Sequence, residues 1–207
     1  NIVLYIGIAM IVVGSPIRRC GRLFNCAVVI RYGKIIGIVP KTYLAGNGEF
    51  YEPRWFESSK ALPSDDIRIS YAGQSNLLLS TQQIFRIGKA LIGIEICQDL
   101  WSPVPQCTWE ALAGAHVIPT LSASNEVLLK HDYRKTLVGS TSARLMSGYV
   151  YCSCGYGEST QDLVWAGSSL IYENANNSSV SNSETSAANS SSSSGSSLAL
   201  ISLILTL

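Results

Sequence analysis

Between residues 11 and 172 the sequence is cut into short apolar runs of strand length, with helical spacing appearing only between them. Residues 27–30 and 35–39 flank Arg31-Tyr32-Gly33-Lys34, which predicts a β-hairpin with glycine at the turn. Residues 91–96 read as one buried strand that stops at Cys97, and residues 117–121 and 149–152 read as two more. Helical spacing is found over residues 109–113, with Gly114 as a stop, and again through Tyr133, Leu137 and Ala143 to Met146, before Gly148. Residues 163–165 and 170–172, around 166–169, predict a second hairpin. Residues 11–14 are expected to end as a strand at Ser15-Pro16, residues 1–6 read as a strand, and Thr42 to about Ser75 as a long polar loop. Strands interleaved with helices, with hairpins added, predict an α/β or α+β fold with a mixed sheet.

The pattern breaks near Asn174. Residues 178–197 are mostly serine with some asparagine and carry almost no apolar side chains, so they cannot bury enough surface to offset the entropy of ordering. The expected division is a folded unit over residues 1–174 and a disordered tail over residues 175–207. The apolar end of that tail, residues 198–207, is too short to span a bilayer. The chain as a whole is 47% hydrophobic, which excludes general disorder. Fifteen basic against fourteen acidic residues give +1, so there is no basic field for nucleic acid or an anionic membrane surface. The first residues lack the basic flank of a signal peptide. Six cysteines without a CxxC pair, and two distant histidines, argue against a disulfide framework and a metal site. A cytoplasmic protein with reduced thiols is expected.

Cys97 is the leading candidate for chemistry. It closes Gly93-Ile94-Glu95-Ile96, and Gln98-Asp99-Leu100-Trp101 turns the chain after it. A nucleophile at a strand end is exposed to a cleft while its backbone is held, and the next amide N–H can face an oxyanion. A cysteine there is equally readable as a small buried hydrophobe. Lys41, after Pro40, is by position alone a solvated charge; beside a thiolate its ammonium would favour the ionised sulfur. Glu49, eight residues on, could fold back to that lysine or remain an ordinary exposed carboxylate.

Taken together, Pro40-Lys41-Thr42-Tyr43-Leu44, Gly48-Glu49-Phe50-Tyr51-Glu52, Glu95-Ile96-Cys97-Gln98-Asp99-Leu100-Trp101, Leu121-Ser122-Ala123-Ser124-Asn125 and Gly157-Glu158-Ser159-Thr160 occur in one order. The set resembles the glutaminase domain of glutamine-dependent NAD synthetases, in the nitrilase (carbon–nitrogen hydrolase) superfamily. Asn25-Cys26-Ala27-Val28-Val29 and Arg54-Trp55-Phe56 extend the resemblance, which covers about residues 10–174. It implies an α-β-β-α sandwich with a Glu-Lys-Cys catalytic set. Cys97 is then the nucleophile, Lys41 the lysine, Glu49 a second glutamate supporting the lysine, and Ser124, Lys130 and Gln98 the substrate-binding residues. Glutamine would be hydrolysed through a Cys97 thioester without a cofactor in this domain. The ammonia would feed a separate synthetase domain that uses ATP, Mg and deamido-NAD, in a homo-oligomer.

The sequence also departs from the family. The first acidic residue is Glu49, so the triad glutamate is expected to be absent from the chain, together with the first strands and helices of the sandwich. Ala45-Gly46-Asn47 replaces Pro-Asn-Tyr, Gln98 replaces Glu, Leu129 replaces Gly, and Gln161 and Ala166 stand for Thr and Asp. Two alternatives to the glutaminase remain open: a stand-alone amidase for another small amide, and a non-catalytic fragment.

Overall fold

The computed structural model describes residues 9–64, 67–155, 158, 163–165, 167–177 and 202–205. The predicted hairpin is present as β2 (Arg22–Arg31) and β3 (Lys34–Pro40), preceded by β1 (Met10–Arg19) in an antiparallel meander. The two-residue connections Cys20-Gly21 and Tyr32-Gly33 have positive φ at both positions, and so does Ala72-Gly73 between β4 (Ile67–Tyr71) and β5 (Gln74–Leu79). Such turns match the twist of antiparallel strands, and glycine at the second position removes half of their steric cost.

β6 (Phe85–Ile87), β7 (Ala90–Ile92) and β8 (Glu95–Ile96) follow, then a 3-10 turn at Cys97–Trp101. After it come α2 (Gln106–Leu112), β9 (Val117–Ser122), α3 (Lys130–Leu145), β10 (Gly148–Ser153), β11 (Leu170–Glu173), β12 (Asn176–Asn177) and β13 (Ser202–Leu205). A one-turn helix α1 (Glu52–Trp55) lies between β3 and β4. The strands form two sheets, ordered β13-β1-β2-β3-β5-β4 and β12-β11-β10-β9-β7-β6, with β8 beside β9. The second sheet is parallel at its centre, where β7, β8 and β10 all run with β9.

The sheets pack face to face. Met10, Val12, Ala27 and Val29 from the first meet Ile92, Ile94, Ile96 and Leu121 from the second. The other face of the second sheet carries Ile118, Tyr149 and Tyr151, packed with Cys107 of α2 and Val138 of α3. Helix, sheet and sheet are therefore three stacked layers of the four that an α-β-β-α sandwich has. The far face of the first sheet is also apolar, with Phe24, Cys26, Val28, Ile38 and Leu79. Both described helices longer than one turn lie on the second sheet. No helix among the described residues is long and apolar enough to cross a membrane.

Several local expectations are corrected. β1 does not stop at Ser15-Pro16: it pairs with β2 as far as Arg19, and a proline fits because β13 borders β1 only over Met10–Val13. The expected loop from Thr42 holds α1, a 3-10 turn at Ser59–Ala61 and strand β4; the polar side of β4 hid it, since Ile67 and Ile69 are its buried positions. The run of residues 91–96 is two strands. Gly93 interrupts it, with the Glu110 carboxylate against the space a Cβ would need and Ile94 N–H bonded to Glu110 Oε1 at 3.0 Å. The second hairpin does not form: Trp165 bridges Asn125, while β11 pairs with β10 and β12. Beyond residue 174, β12 pairs within the second sheet and β13 borders the first. Residues 1–6 and 178–197 lie outside the described residues.

Candidate active site

The 3-10 turn after β8 begins at Cys97, whose φ is +45°, in the left-handed region that L residues avoid. Strain of this kind persists where surrounding structure over-determines the backbone, as at a nucleophile held on a sharp strand-to-helix turn. The thiol is half-buried, and Ser122 Oγ donates to its sulfur at 3.4 Å from the end of β9. Asp99, two residues on, ties this turn to the segment after β3. Its carboxylate accepts the backbone N–H of Tyr43 at 2.6 Å and of Thr42 at 3.2 Å. Lys41 is thereby held next to the Cys97 turn.

Lys41 is 3% exposed, and its Nζ donates to Glu52 Oε2 at 2.5 Å. The same oxygen accepts Ala45 N–H at 2.7 Å, and Oε1 accepts Asn25 Nδ2 at 2.6 Å. Burial alone would lower the pKa of Lys41, but the negative charges of Cys97, Glu52 and Asp99 outweigh it and the net shift is upward. The lysine is an ammonium in this site.

The partner of Lys41 is thus Glu52 and not Glu49. Glu52 opens α1, and that turn directs its carboxylate back to the lysine. Glu49 instead accepts a hydrogen bond from Asn125 Nδ2, and Asn125 Oδ1 accepts one from Lys130 Nζ. Lys130 also lies 5.6 Å from the ring centroids of both Phe50 and Trp101. Desolvation first, then Arg134, lowers its pKa, with partial compensation from Cys97, Glu49 and Glu126.

Two cavities meet at Cys97. One, of about 240 Å³, is lined by Cys97, Lys41 and Glu52 with Pro16, Phe56 and Trp165. The other, of about 100 Å³, is lined by Cys97, Gln98, Trp101, Ser124 and Lys130, and Ala45 borders both. Of the sequence candidates, Cys97 and Lys41 come together in the first; Ser124, Lys130 and Gln98 gather in the second. Glu49 stands behind the second through Asn125. Sequence reasoning missed Glu52, Asp99 and Asn125. The acceptor role of Asn125 was signalled by its place at the end of Ser122-Ala123-Ser124, while nothing local separates Glu52 from Glu49. Gln161 and Ala166 lie outside the described residues.

Burial raises four of the six thiols: Cys26, Cys107 and Cys154 strongly, and Cys152 to about 11. Cys20 is exposed at the β1–β2 turn, away from both cavities.

Burial also pushes the Asp99 carboxyl from 3.8 up to about 7, with the Tyr43 N–H and Lys41 opposing and Glu95 adding to the rise. Between those two values the folded chain holds a proton that the unfolded chain has lost, so stability falls as pH rises through this window and levels off above it. Glu95 and Glu110, both raised mainly by burial, contribute with the same sign. The urea midpoint is expected to be higher near pH 5 than near pH 8, and Asp99→Asn should shrink that difference. A midpoint that rises between these pH values would contradict the burial of protonated acids in this turn.

No protein-family model matches the chain. A glutamine-dependent NAD(+) synthetase of Mycobacterium tuberculosis is 38% identical over 169 residues, 80% of this chain and 24% of that protein. The chain thus spans about a quarter of the length of the curated relatives it matches. A solved glutamine-dependent NAD(+) synthetase from Cytophaga hutchinsonii superposes with a TM-score of 0.69 at 26% identity, over 81% of this chain and 26% of that one. Saccharomyces cerevisiae Nit3, a nitrilase-superfamily member at 15% identity, shares the fold with a TM-score of 0.60 over 93% of this chain and 58% of its own. The layered sheets, the strained Cys97 turn and these similarities agree: the chain is a relative of the glutamine-dependent NAD(+) synthetases, matching about a quarter of their length, and has the fold of the nitrilase superfamily.

Proposed function

We propose that this chain forms the thioester-forming centre of a glutaminase that releases ammonia from the side-chain amide of glutamine. The observation that carries the reading is the placement of Cys97 between a Lys41–Glu52 ion pair and the Ser124–Lys130 cavity. In this reading the Cys97 sulfur bonds to the amide carbon, and Lys41 stabilises the oxyanion that develops. The C–N bond breaks, ammonia leaves with a proton, and water then releases glutamate from the thioester. The cationic Lys130 and the Ser124 hydroxyl suit the polar groups at the amino-acid end of the substrate. Ammonia would pass to a synthetase domain that uses ATP, Mg and deamido-NAD, in a cytoplasmic homo-oligomer; the six unpaired cysteines support a reducing compartment.

Glu52 is the only carboxylate lining either cavity among the described residues, and both of its oxygens are already bonded. Among the described residues, water activation therefore lacks a free base. Turnover of the 207-residue chain is expected to fall short of a complete glutaminase by roughly 10²–10⁴, the worth of a general acid–base group. The test pairs steady-state ammonia release with labelling by a glutamine-shaped chloroketone. Label on Cys97, blocked by glutamine, is expected alongside slow turnover. Label on Cys20, or label that glutamine does not block, would remove the glutaminase reading in favour of another small amide. Full turnover would make Glu52 the base.

A further inference from the structure

Ser122 Oγ uses its single hydrogen on Cys97 Sγ. The 2.6 Å bond between Ser122 Oγ and Tyr151 Oη must then have the tyrosine as donor. Tyr151 is fully buried, and burial, with Cys97 adding, pushes its hydroxyl up to about 12, so it keeps the proton it donates. The Ser124 side chain opposes that rise, in the sense of a donor to the tyrosine oxygen. Ser124 Oγ in turn accepts from Arg134 Nη2 at 3.1 Å, which leaves the serine hydrogen free for the tyrosine. Arg134 is 0% exposed, its Nε and Nη1 have no partner, and its other hydrogen bond goes to Asn125 O. A buried guanidinium with three idle N–H groups, and only the exposed Glu126 carboxylate 3.9 Å from its Nη2, is costly for stability alone.

We propose that Arg134, Ser124, Tyr151 and Ser122 form a one-way hydrogen-bond relay that positions the Cys97 sulfur and stabilises its ionised form. Every donor in the relay points toward the sulfur, so each bond polarises the next. Ser122 touches the reacting atom; Tyr151, Ser124 and Arg134 are positioning residues that act through it. α3 supplies the cation, and parallel β9 and β10 place Ser122 and Tyr151 on one face as diagonal neighbours, Tyr151 opposite Thr120 and Ser122 opposite Ser153. The other charged groups around Cys97 are Lys41, Glu52, Asp99 and Lys130, and they are untouched by the variants below.

The inference rests on Cys97 as nucleophile, but its test does not require glutamine turnover. The rate of Cys97 alkylation by iodoacetamide is followed against pH in the 207-residue chain, with peptide mapping to assign the label. Ser122→Ala is expected to move the profile up by about one pH unit, the size of one hydrogen bond to a charged group. Tyr151→Phe and Ser124→Ala, which cut the relay further back, should move it the same way by less. Thr120→Val serves as a control: Thr120 makes an analogous 2.6 Å bond to Tyr149 on the same two strands without reaching Cys97, and its profile should match the parent. Profiles of Tyr151→Phe and Ser124→Ala that coincide with the parent would overturn the relay and leave Ser122 acting alone. A shift of equal size in Thr120→Val would overturn it by making the effect one of packing. Absence of label on Cys97 in the parent would overturn the nucleophile assignment and the relay together.

Discussion

Lys41→Ala is expected to slow first-turnover ammonia release from glutamine by about a hundred-fold or more, the cost of removing one oxyanion stabiliser. Among the described residues Lys41 is the only cation lining the larger cavity with Cys97, and it is buried and charged. Loss of its ammonium also removes the partner that favours the ionised sulfur, so two contributions fall together. Lys41→Arg should not restore the rate. The Nζ fits between Glu52 Oε2 and the cavity at 2.5 Å, and a planar guanidinium is wider and directs its donors differently. A first-turnover rate within a few-fold of the parent in either variant would reduce Lys41 to a structural charge.

Glu52→Gln is expected to destabilise the chain by about 3 kcal/mol, because it leaves a buried ammonium facing a neutral amide. The amide still has one oxygen, yet the parent carboxylate serves Lys41, Ala45 N–H and Asn25 together, and the amide nitrogen can accept from none of them. Glu49→Gln should cost under about 1 kcal/mol, since Glu49 is half-buried and accepts from an uncharged amide. Its effect belongs instead in the KM for glutamine, through Asn125 and Lys130. Urea unfolding at unchanged slope separates the two variants. A larger loss for Glu49→Gln than for Glu52→Gln would return the lysine-supporting role to Glu49.

The site was legible where chemistry and position coincide. Cys97 could be found because an apolar run ends there, and Lys41 because a hairpin strand delivers it past a proline. The identity of the lysine's partner was not legible. Glu49 and Glu52 are three residues apart in one loop, and only the turn of α1 decides which carboxylate faces back and which faces Asn125. The split of residues 91–96 at Gly93 has the same origin, since the Glu110 carboxylate that occupies the space comes from α2, after the nucleophile turn. β4 escaped notice because it is a half-exposed strand with only two fully buried residues, Ile67 and Ile69.

By itself the sequence determined the class of fold, the Tyr32-Gly33 hairpin, the helix that α3 realises and the kinship with the glutamine-dependent NAD(+) synthetases. These follow from local periodicity, from backbone conformations that few residues tolerate, and from residue types in a fixed order. Tertiary structure alone decided what lies within hydrogen-bond reach of what: Glu52 against Lys41, Asp99 across to the Tyr43 amide, and Tyr151 and Ser122 joined behind Cys97. Parallel strands and crossing loops bring together residues that are 11, 56 and 29 positions apart, and a local pattern carries no record of such closures.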